Sequence, residues 1–354
     1  MRVNIFFMKN NISCKFSPED IEDARQAGRL LSMELELSRA CNLRCIYCYA
    51  DSGTALDAEL SLVEILDAVD QAVELGARRI IVLGGGEPLV YPDILAILRH
   101  IHRRGAAIDL FTNGTRITAE LAKEFMALGV SPVIKMNSLR EEVQDMLADR
   151  PGTFARIRQG LHHLREAGYP GRALPLGVQT VICRQNLPEL PDMWAWIRDQ
   201  DMVPYFETIT FQGRVREHPE LLVGPEEIRS LFQTLADLDK TRFGMEWDPR
   251  PPVAGLTCNR HFYTCTITVH GDVVPCPGVD IAVGNIRTAR LAEILHQSPV
   301  IRDLRNIRET IKGACKTCEF HHSCYGCRGM AYQHTGDYLA ADPLCWRNPE
   351  RIQQ

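Results

Sequence analysis

Residues 39–50 read RACNLRCIYCYA, with Cys41, Cys45 and Cys48 separated by three residues and then by two. A thiolate is a good ligand for soft metal, and three on one short loop can converge on one metal site. Four thiolates would close an iron–sulfur cluster or a zinc tetrahedron, whereas three leave one position free. An open position marks chemistry more often than bracing. A structural zinc site borrowing its fourth ligand from elsewhere is the alternative that spacing alone leaves open.

Working outward, residues 31–37 (LSMELEL) form the expected first strand, which feeds this loop. Residues 61–75 are expected as a helix, with Ile65, Leu66, Val69, Ala72 and Val73 on one face and Gly76 as its stop. The alternation continues with strands over 79–83, 106–111, 130–136, 174–182 and 203–209. Helices are expected over 92–104, 118–128, 140–148, 153–167, 188–199 and 225–238. Six βα units imply a parallel sheet with helices outside, either an incomplete barrel or an open doubly wound sheet. Polar residues decide between the two. The cysteine loop follows strand one and Gly84-Gly85-Gly86-Glu87-Pro88 follows strand two. Thr112-Asn113 follows strand three, while Lys135 and Asn137 end strand four. Cys183, Arg184 and Asn186 follow strand five, and Glu207 and Thr208 end strand six. Reactive residues gathered on the C-terminal rim favour a barrel.

A chain of 354 residues is long enough for two or three domains, and the net charge of −5 gives no reason to expect a nucleic-acid partner. No apolar run reaches the roughly 18 residues of a membrane span, and the first residues are too weakly apolar for a signal peptide, so a cytoplasmic protein is expected. Thirteen cysteines, an odd number, point to metal rather than to a disulfide framework. Residues 1–30 are expected as a lead-in with a short helix after Ser17-Pro18, and residues 240–257, rich in Pro and Gly, as a linker. Beyond the linker, over 258–354, comes a second array: Cys258, Cys265, Cys276, Cys315, Cys318, Cys324, Cys327 and Cys345. Eight thiolates are enough for two four-iron clusters. Two zinc knuckles are the bland alternative. Cys14 and Cys183 are left over and are expected as ordinary buried cysteines.

Residues 31–239 resemble the radical S-adenosylmethionine (SAM) enzymes. The cysteine spacing matches that family's signature, placed after the first strand of a partial (β/α)6 barrel. The resemblance implies that Cys41, Cys45 and Cys48 hold three irons of a [4Fe–4S] cluster and that SAM chelates the fourth. Reductive cleavage then gives a 5′-deoxyadenosyl radical that abstracts hydrogen from a substrate. It further implies that Tyr47 touches the adenine and that Gly85-Gly86-Glu87-Pro88 contacts the methionine amine. Thr112, Asn113, Lys135, Asn137 and Ser138 match the remaining SAM-contacting positions more loosely. The tail is similar to the SPASM extension of this family. That likeness implies one auxiliary cluster on Cys258, Cys265, Cys276 and Cys327, and a second on Cys315, Cys318, Cys324 and Cys345. The last gap of the motif, between Cys324 and Cys327, is one residue shorter than usual.

The resemblance implies an anaerobic oxidoreductase or maturase supplied by a low-potential donor, a flavodoxin or ferredoxin. The expected substrate is a peptide, protein or cofactor precursor, with a separate recognition protein as a possible partner. A small molecule is the alternative, either a tetrapyrrole side chain, as in heme biosynthesis, or a sugar. A non-catalytic zinc-binding interaction protein is the alternative from another class. Sulfatase-maturing members carry an Asp directly after the cysteine matching Cys276. Pro277 stands there in this chain, so no formylglycine formation is expected.

Overall fold

The computed structural model describes residues 16–171 and 173–351. Cys14 lies outside them. Strand β1 (Ser32–Ser38) is buried along its whole length. Its polar residues Ser32, Glu34, Glu36 and Ser38 alternate with Met33, Leu35 and Leu37. Successive side chains of a strand point to opposite faces. The apolar set joins the core under the helices, while Ser32 and Glu34 border a central cavity. This alternation on a doubly buried strand is the signature of a barrel interior that holds a site.

The helix before β1, α1 (Pro18–Gln26), opens on a capping box between Ser17 and Asp20. After β1 come α2 (Leu62–Glu74), β2 (Arg79–Gly85), α3 (Ile94–Arg103), β3 (Ala107–Thr112), α4 (Ala119–Ala127) and β4 (Val130–Lys135). Two helices, α5 (Glu141–Ala148) and α6 (Thr153–Glu166), precede β5 (Gly177–Ile182). Then follow α7 (Leu190–Asp199), β6 (Val203–Thr208) and α8 (Pro225–Leu238). Strands β1 to β6 lie in chain order and are all parallel, as right-handed βα crossovers dictate. The partial (β/α)6 barrel expected from the rim residues is the observed architecture.

The sheet does not stop at β1. A hairpin of β7 (Thr266–Ile267) and β8 (Asp272–Val274), followed by β9 (Gly284–Asn285), adds to the open edge of β1, giving the order β6-β5-β4-β3-β2-β1-β7-β8-β9. Glu34 pairs with Thr266 and Leu35 with Ile267 in parallel. The hairpin expected to deliver Cys276 is thus a continuation of the barrel sheet. Helices α9 (Leu291–Gln297), α10 (Pro299–Arg305), α11 (Ile307–Thr310) and α12 (Arg328–Thr335) complete the C-terminal part.

At the other edge, residues 240–257 run beside β6. Thr208 donates its N–H to the Pro252 carbonyl, and Ala254 donates to that of Phe206, each at 2.9 Å. Proline keeps its carbonyl as an acceptor although it lacks an N–H, which is why a Pro-rich stretch can flank an edge strand without extending the ladder. Trp247 anchors it by donating its indole N–H to Asp239 at 2.9 Å. The lead-in helix packs against the C-terminal part, with Ala24 in one apolar cluster with Phe262, Leu304 and Tyr325.

Candidate active site and cluster sites

The cysteine loop is held from three sides. Its ends are tied to each other, Cys41 N–H to Gly53 O and Gly53 N–H to Arg39 O, both at 2.9 Å. From the β2 side, Gly86 donates to Ser38 O at 2.7 Å and Glu87 to Ala40 O at 2.9 Å. A Cβ on Gly86 would overlap the Ala40 carbonyl, so the glycine loop is glycine because it is pressed against the base of the cysteine loop. From the β6 side comes Gly213-Arg214. Gly213 has φ +58° and lies against the carbonyls of Cys48 and Tyr49, where a side chain would clash. The buried guanidinium of Arg214 donates to Cys45 O at 2.9 Å and to Ser52 O. The sequence marked the glycine loop as a ligand contact and revealed none of these three restraints.

Within this frame Cys41, Cys45 and Cys48 all line one cavity of about 350 Å³. Leu43 N–H lies 3.4 Å from Cys41 Sγ, and Ser52 Oγ lies 3.3 Å from Cys48 Sγ. Burial pushes the Cys45 thiol up to about 12 and raises that of Cys41. Such thiols ionise when a cation arrives to replace their protons, which is the chemistry of a cluster site. Donors aimed at the sulfurs then spread the thiolate charge.

Glu87 borders the same cavity and is buried. Its carboxylate accepts from Thr112 Oγ1 at 2.5 Å, Leu89 N–H at 3.0 Å and Asn113 N–H at 2.7 Å. Burial raises its pKa and those three donors pull it back. A carboxylate has about four lone-pair sites, so one remains for an ammonium group. Glu87 therefore does two things: it joins the loops after β2 and β3, and it presents an acceptor to the cavity. Asn113 adds a bond to Asn42 Oδ1 at 2.9 Å, tying the β3 loop to the cysteine loop.

Cys258, Cys276 and Cys327 border the same cavity. Two short C-x-G turns bring the last two together. Gly278 and Gly329 approach so closely that a Cβ on either would stand 2.8 Å from the other's Cα. Val279 N–H points at Cys276 Sγ and Met330 N–H at Cys327 Sγ, each at 3.3 Å, and Tyr325 OH lies 3.7 Å from Cys258 Sγ. A separate void of about 30 Å³ is bordered by Cys315, Cys318, Cys324 and Cys345. Phe320 on its wall is covered by the guanidinium groups of Arg250 and Arg347, 4.8 and 4.5 Å from the ring centroid. Asp342 braces the two sites. Its carboxylate accepts from Cys327 N–H at 2.7 Å, while its own N–H lies 3.5 Å from Cys315 Sγ.

Residues 35–190 match the model of the radical SAM superfamily, and residues 258–319 match SPASM, an iron–sulfur cluster-binding domain. The chain belongs to the radical SAM superfamily. An AdoMet-dependent heme synthase of Methanosarcina barkeri is 29% identical over 352 residues, covering 91% of this chain and 97% of that protein. A PqqA peptide cyclase of Streptomyces rochei is 29% identical over 346 residues, covering 92% of this chain and 91% of that protein. Among solved structures, Streptococcus suis SuiB bound to its precursor peptide SuiA superposes with a TM-score of 0.68 at 16% identity, covering 95% of this chain and 84% of that one. This radical SAM enzyme thus has the fold, the enzymatic class and the SAM and iron–sulfur chemistry expected from its two cysteine arrays.

The remaining residues expected from the sequence divide. Tyr47, Gly85, Gly86, Thr112, Asn113 and Lys135 border the cavity. Lys135 Nζ lies 5.3 Å from the centre of the Tyr47 ring and 3.9 Å from Glu207. Pro88, Asn137 and Ser138 stand behind the wall. Pro88 opens a turn of 3-10 helix. Asn137 accepts from Val181 N–H at 2.9 Å, and Ser138 donates to Glu189 at 2.6 Å. These three shape the rim without facing the cavity. Cys183 is fully buried in an apolar cluster, as expected of a leftover.

Cys265 departs from its expected place. Its neighbour Thr266 turns into the barrel and donates to Glu34 at 2.6 Å. Strand alternation then sends Cys265 the other way, into the core beside Ile267. The structure joins Cys258, Cys276 and Cys327 without it.

Sequence reasoning placed Lys135 and Glu207 on the rim but missed Glu34, Gln179 and Arg260, which complete the polar centre of the cavity. Arg260 pairs with Glu34 at 2.8 Å, and Gln179 donates to Glu207. Burial raises Glu207 while Lys135 and Arg260 lower it. Two acidic residues in the first strand, one of them Glu34, were the available signal.

Proposed function

We propose that this enzyme oxidises its substrate between a radical-generating site at Cys41, Cys45 and Cys48 and an electron-accepting cluster at Cys258, Cys276 and Cys327. The observation that carries this reading is that both cysteine triads border one cavity. When bound, the cluster and SAM supply the 5′-deoxyadenosyl radical that takes a hydrogen atom from the substrate. The chain's part is to hold the SAM amine at Glu87, place Tyr47 and Lys135 beside the nucleoside, and keep water from the radical with the apolar wall of Leu43, Ile81, Phe111 and Val181. Cys258, Cys276 and Cys327 would hold a cluster able to accept the electron left on the substrate, and Cys315, Cys318, Cys324 and Cys345 would hold a second one.

Three four-iron clusters follow from these sites, about twelve irons and twelve sulfides per chain. A flavodoxin or ferredoxin supplies the electron that cleaves SAM. The substrate class proposed is a peptide, protein or cofactor precursor undergoing maturation, in keeping with the peptide cyclase relative and with the peptide-bound fold neighbour. A tetrapyrrole bearing carboxylate side chains is the second reading. It is favoured by the heme synthase relative, which this chain matches over 97% of its length, and by the half-buried cations Lys135 and Arg260 that border the cavity.

Anaerobic reconstitution with SAM and dithionite tests the proposal. The unsubstituted enzyme should form 5′-deoxyadenosine. The Cys41→Ala, Cys45→Ala, Cys48→Ala triple variant should form none while keeping about two-thirds of the iron. Persistent cleavage in that variant would overturn the assignment. Deuterium transfer into 5′-deoxyadenosine from a labelled peptide or a labelled tetrapyrrole separates the two substrate readings.

A further inference from the structure

Asp342 touches both cluster sites of the C-terminal part and presents a different group to each. The residue is fully buried. Its carboxylate accepts from Cys327 N–H at 2.7 Å and from Leu344 N–H at 2.9 Å. Its own N–H goes to Cys315 Sγ at 3.5 Å, and its carbonyl accepts from Cys345 N–H at 3.2 Å. A Cβ on Gly326 would stand 2.7 Å from that of Asp342 and 3.0 Å from Arg328 Nη2, so this guanidinium lies beside the carboxylate. Two N–H donors and a neighbouring cation hold the group as an anion.

Hydrogen bonds to the sulfurs and the net charge around them set the potential of an iron–sulfur cluster. Donors alone do not separate the two sites. Val279 and Met330 N–H point at Cys276 and Cys327, and Gly326 and Asp342 N–H at Cys324 and Cys315. Tyr325 OH adds a longer contact at Cys258. Full charges do separate them. The Asp342 carboxylate is bonded to a cysteine of the first site, where Arg260 is paired with Glu34. The second site is bordered by the guanidinium groups of Arg250 and Arg347. Their partners, Asp248 and Glu319, are exposed, so water screens those carboxylates. Nearby negative charge opposes the uptake of an electron, and positive charge favours it.

We propose that Asp342 sets a potential step between the two auxiliary clusters, lower at Cys258, Cys276 and Cys327 and higher at Cys315, Cys318, Cys324 and Cys345. One electron then leaves the reduced first cluster and enters the oxidised second, with no bond or proton exchanged. Asp342 is a positioning residue for electron flow away from the substrate. This inference rests on the electron-accepting role given to the first cluster under Proposed function and goes beyond it.

The test uses the full chain carrying Cys41→Ala, Cys45→Ala and Cys48→Ala, so that only the auxiliary clusters respond, about eight irons per chain. Both are titrated with dithionite in EPR-monitored potentiometry. Adding Cys318→Ala and Cys324→Ala empties the second site and identifies the signal of the first. The electron should favour the second cluster at least tenfold, a gap of about 59 mV. A first midpoint equal to or above the second would overturn the step, and this measurement leaves Asp342 intact. Asp342→Asn, which removes the charge and keeps the size, should raise the first midpoint and cut the preference at least fivefold, about 40 mV. Asp342→Ser, smaller and equally uncharged, is read the same way if the amide impairs cluster binding. Equal shifts of both midpoints, or no shift, at full iron content would overturn the role of Asp342. Loss of iron from both variants would reduce Asp342 to a brace and overturn it as well. Formation of 5′-deoxyadenosine by the unsubstituted enzyme is scored separately, so failure of the potential step is distinct from failure of the radical reading.

Discussion

Arg214, on the loop after the last barrel strand, donates to the carbonyl of Cys45 at 2.9 Å, in the middle of the loop that follows the first strand. The two residues are 169 positions apart in the chain. Because the barrel is open, nothing in the sheet joins β1 to β6. The guanidinium closes across the gap and fixes the curvature of the cysteine loop from its backbone, leaving the sulfurs free for metal.

This bond predicts the outcome of Arg214→Ala. Each hydrogen bond from a charged donor contributes about 1.5–3 kcal/mol, and here two such bonds are lost. The variant should reconstitute with up to about four fewer irons per chain while the other two sites fill normally. Iron and sulfide analysis with EPR of the SAM-binding cluster checks this. Full occupancy with unchanged SAM cleavage would show that the clamp is dispensable.

A second prediction concerns the approach of Gly278 to Gly329. A Cβ at 2.8 Å from a backbone carbon cannot be accommodated without moving one of the two turns. Gly278→Ala should therefore cost about 1–3 kcal/mol, the usual range for overpacking. The displacement falls on Cys276 and Cys327 rather than on the first triad. Loss of the auxiliary signal with retained SAM cleavage is the expected pattern, and an unchanged auxiliary spectrum would contradict it.

The cysteine spacing, the order of βα units and the rim of polar residues were legible because each is local: a motif, a period, a turn. What was not legible was set by pairings between distant segments. Nothing near Cys265 reveals that β7 joins β1, so its side could not be read, and the likeness to the SPASM extension assigned it to a cluster. Gly213 looks like any loop glycine until it is seen against Cys48. The prolines of residues 240–257 signal an irregular path, and they do, but the path lies along β6. The alternation of Glu34 and Glu36 with leucines was present in the sequence. It marks a strand with a polar interior face.

The third prediction follows from the double duty of Glu87. Removing its carboxylate should weaken SAM binding by about 1.5–3 kcal/mol, as loss of a charge-assisted hydrogen bond does. It also leaves Thr112 Oγ1 and Asn113 N–H without their acceptor. Glu87→Gln, which preserves the shape and an acceptor oxygen, separates these effects. It should lose less stability than Glu87→Ala, because one acceptor oxygen remains for Thr112 and Leu89, and it should bind SAM more weakly. Calorimetry showing equal SAM affinity for all three proteins would remove Glu87 from the ligand site.

The last prediction concerns the position after Cys276. Pro277 borders the cavity and carries no group that can take a proton. Sulfatase-maturing members of the superfamily place a carboxylate at this position, and it serves there as a base. The two nearest aspartates by sequence are committed elsewhere. Asp272 accepts from Asn285 Nδ2 at 2.9 Å. Asp280 accepts from Gln212 at 3.2 Å and from Gln333 at 3.0 Å. Neither borders the cavity. To reach it Asp280 would have to give up both amides, and Gln212 is itself fixed by a bond to the Pro277 carbonyl at 3.0 Å. Oxidation of a serine or cysteine in a sulfatase peptide needs a base for the hydroxyl or thiol proton, so this enzyme should cleave SAM without converting such a peptide to formylglycine. Mass spectrometry of the peptide after anaerobic turnover decides it. Conversion in step with 5′-deoxyadenosine formation would mean that another group supplies the base. Pro277→Asp gives the complementary test: if the missing carboxylate is what bars the reaction, this variant should show more conversion of the same peptide than the parent.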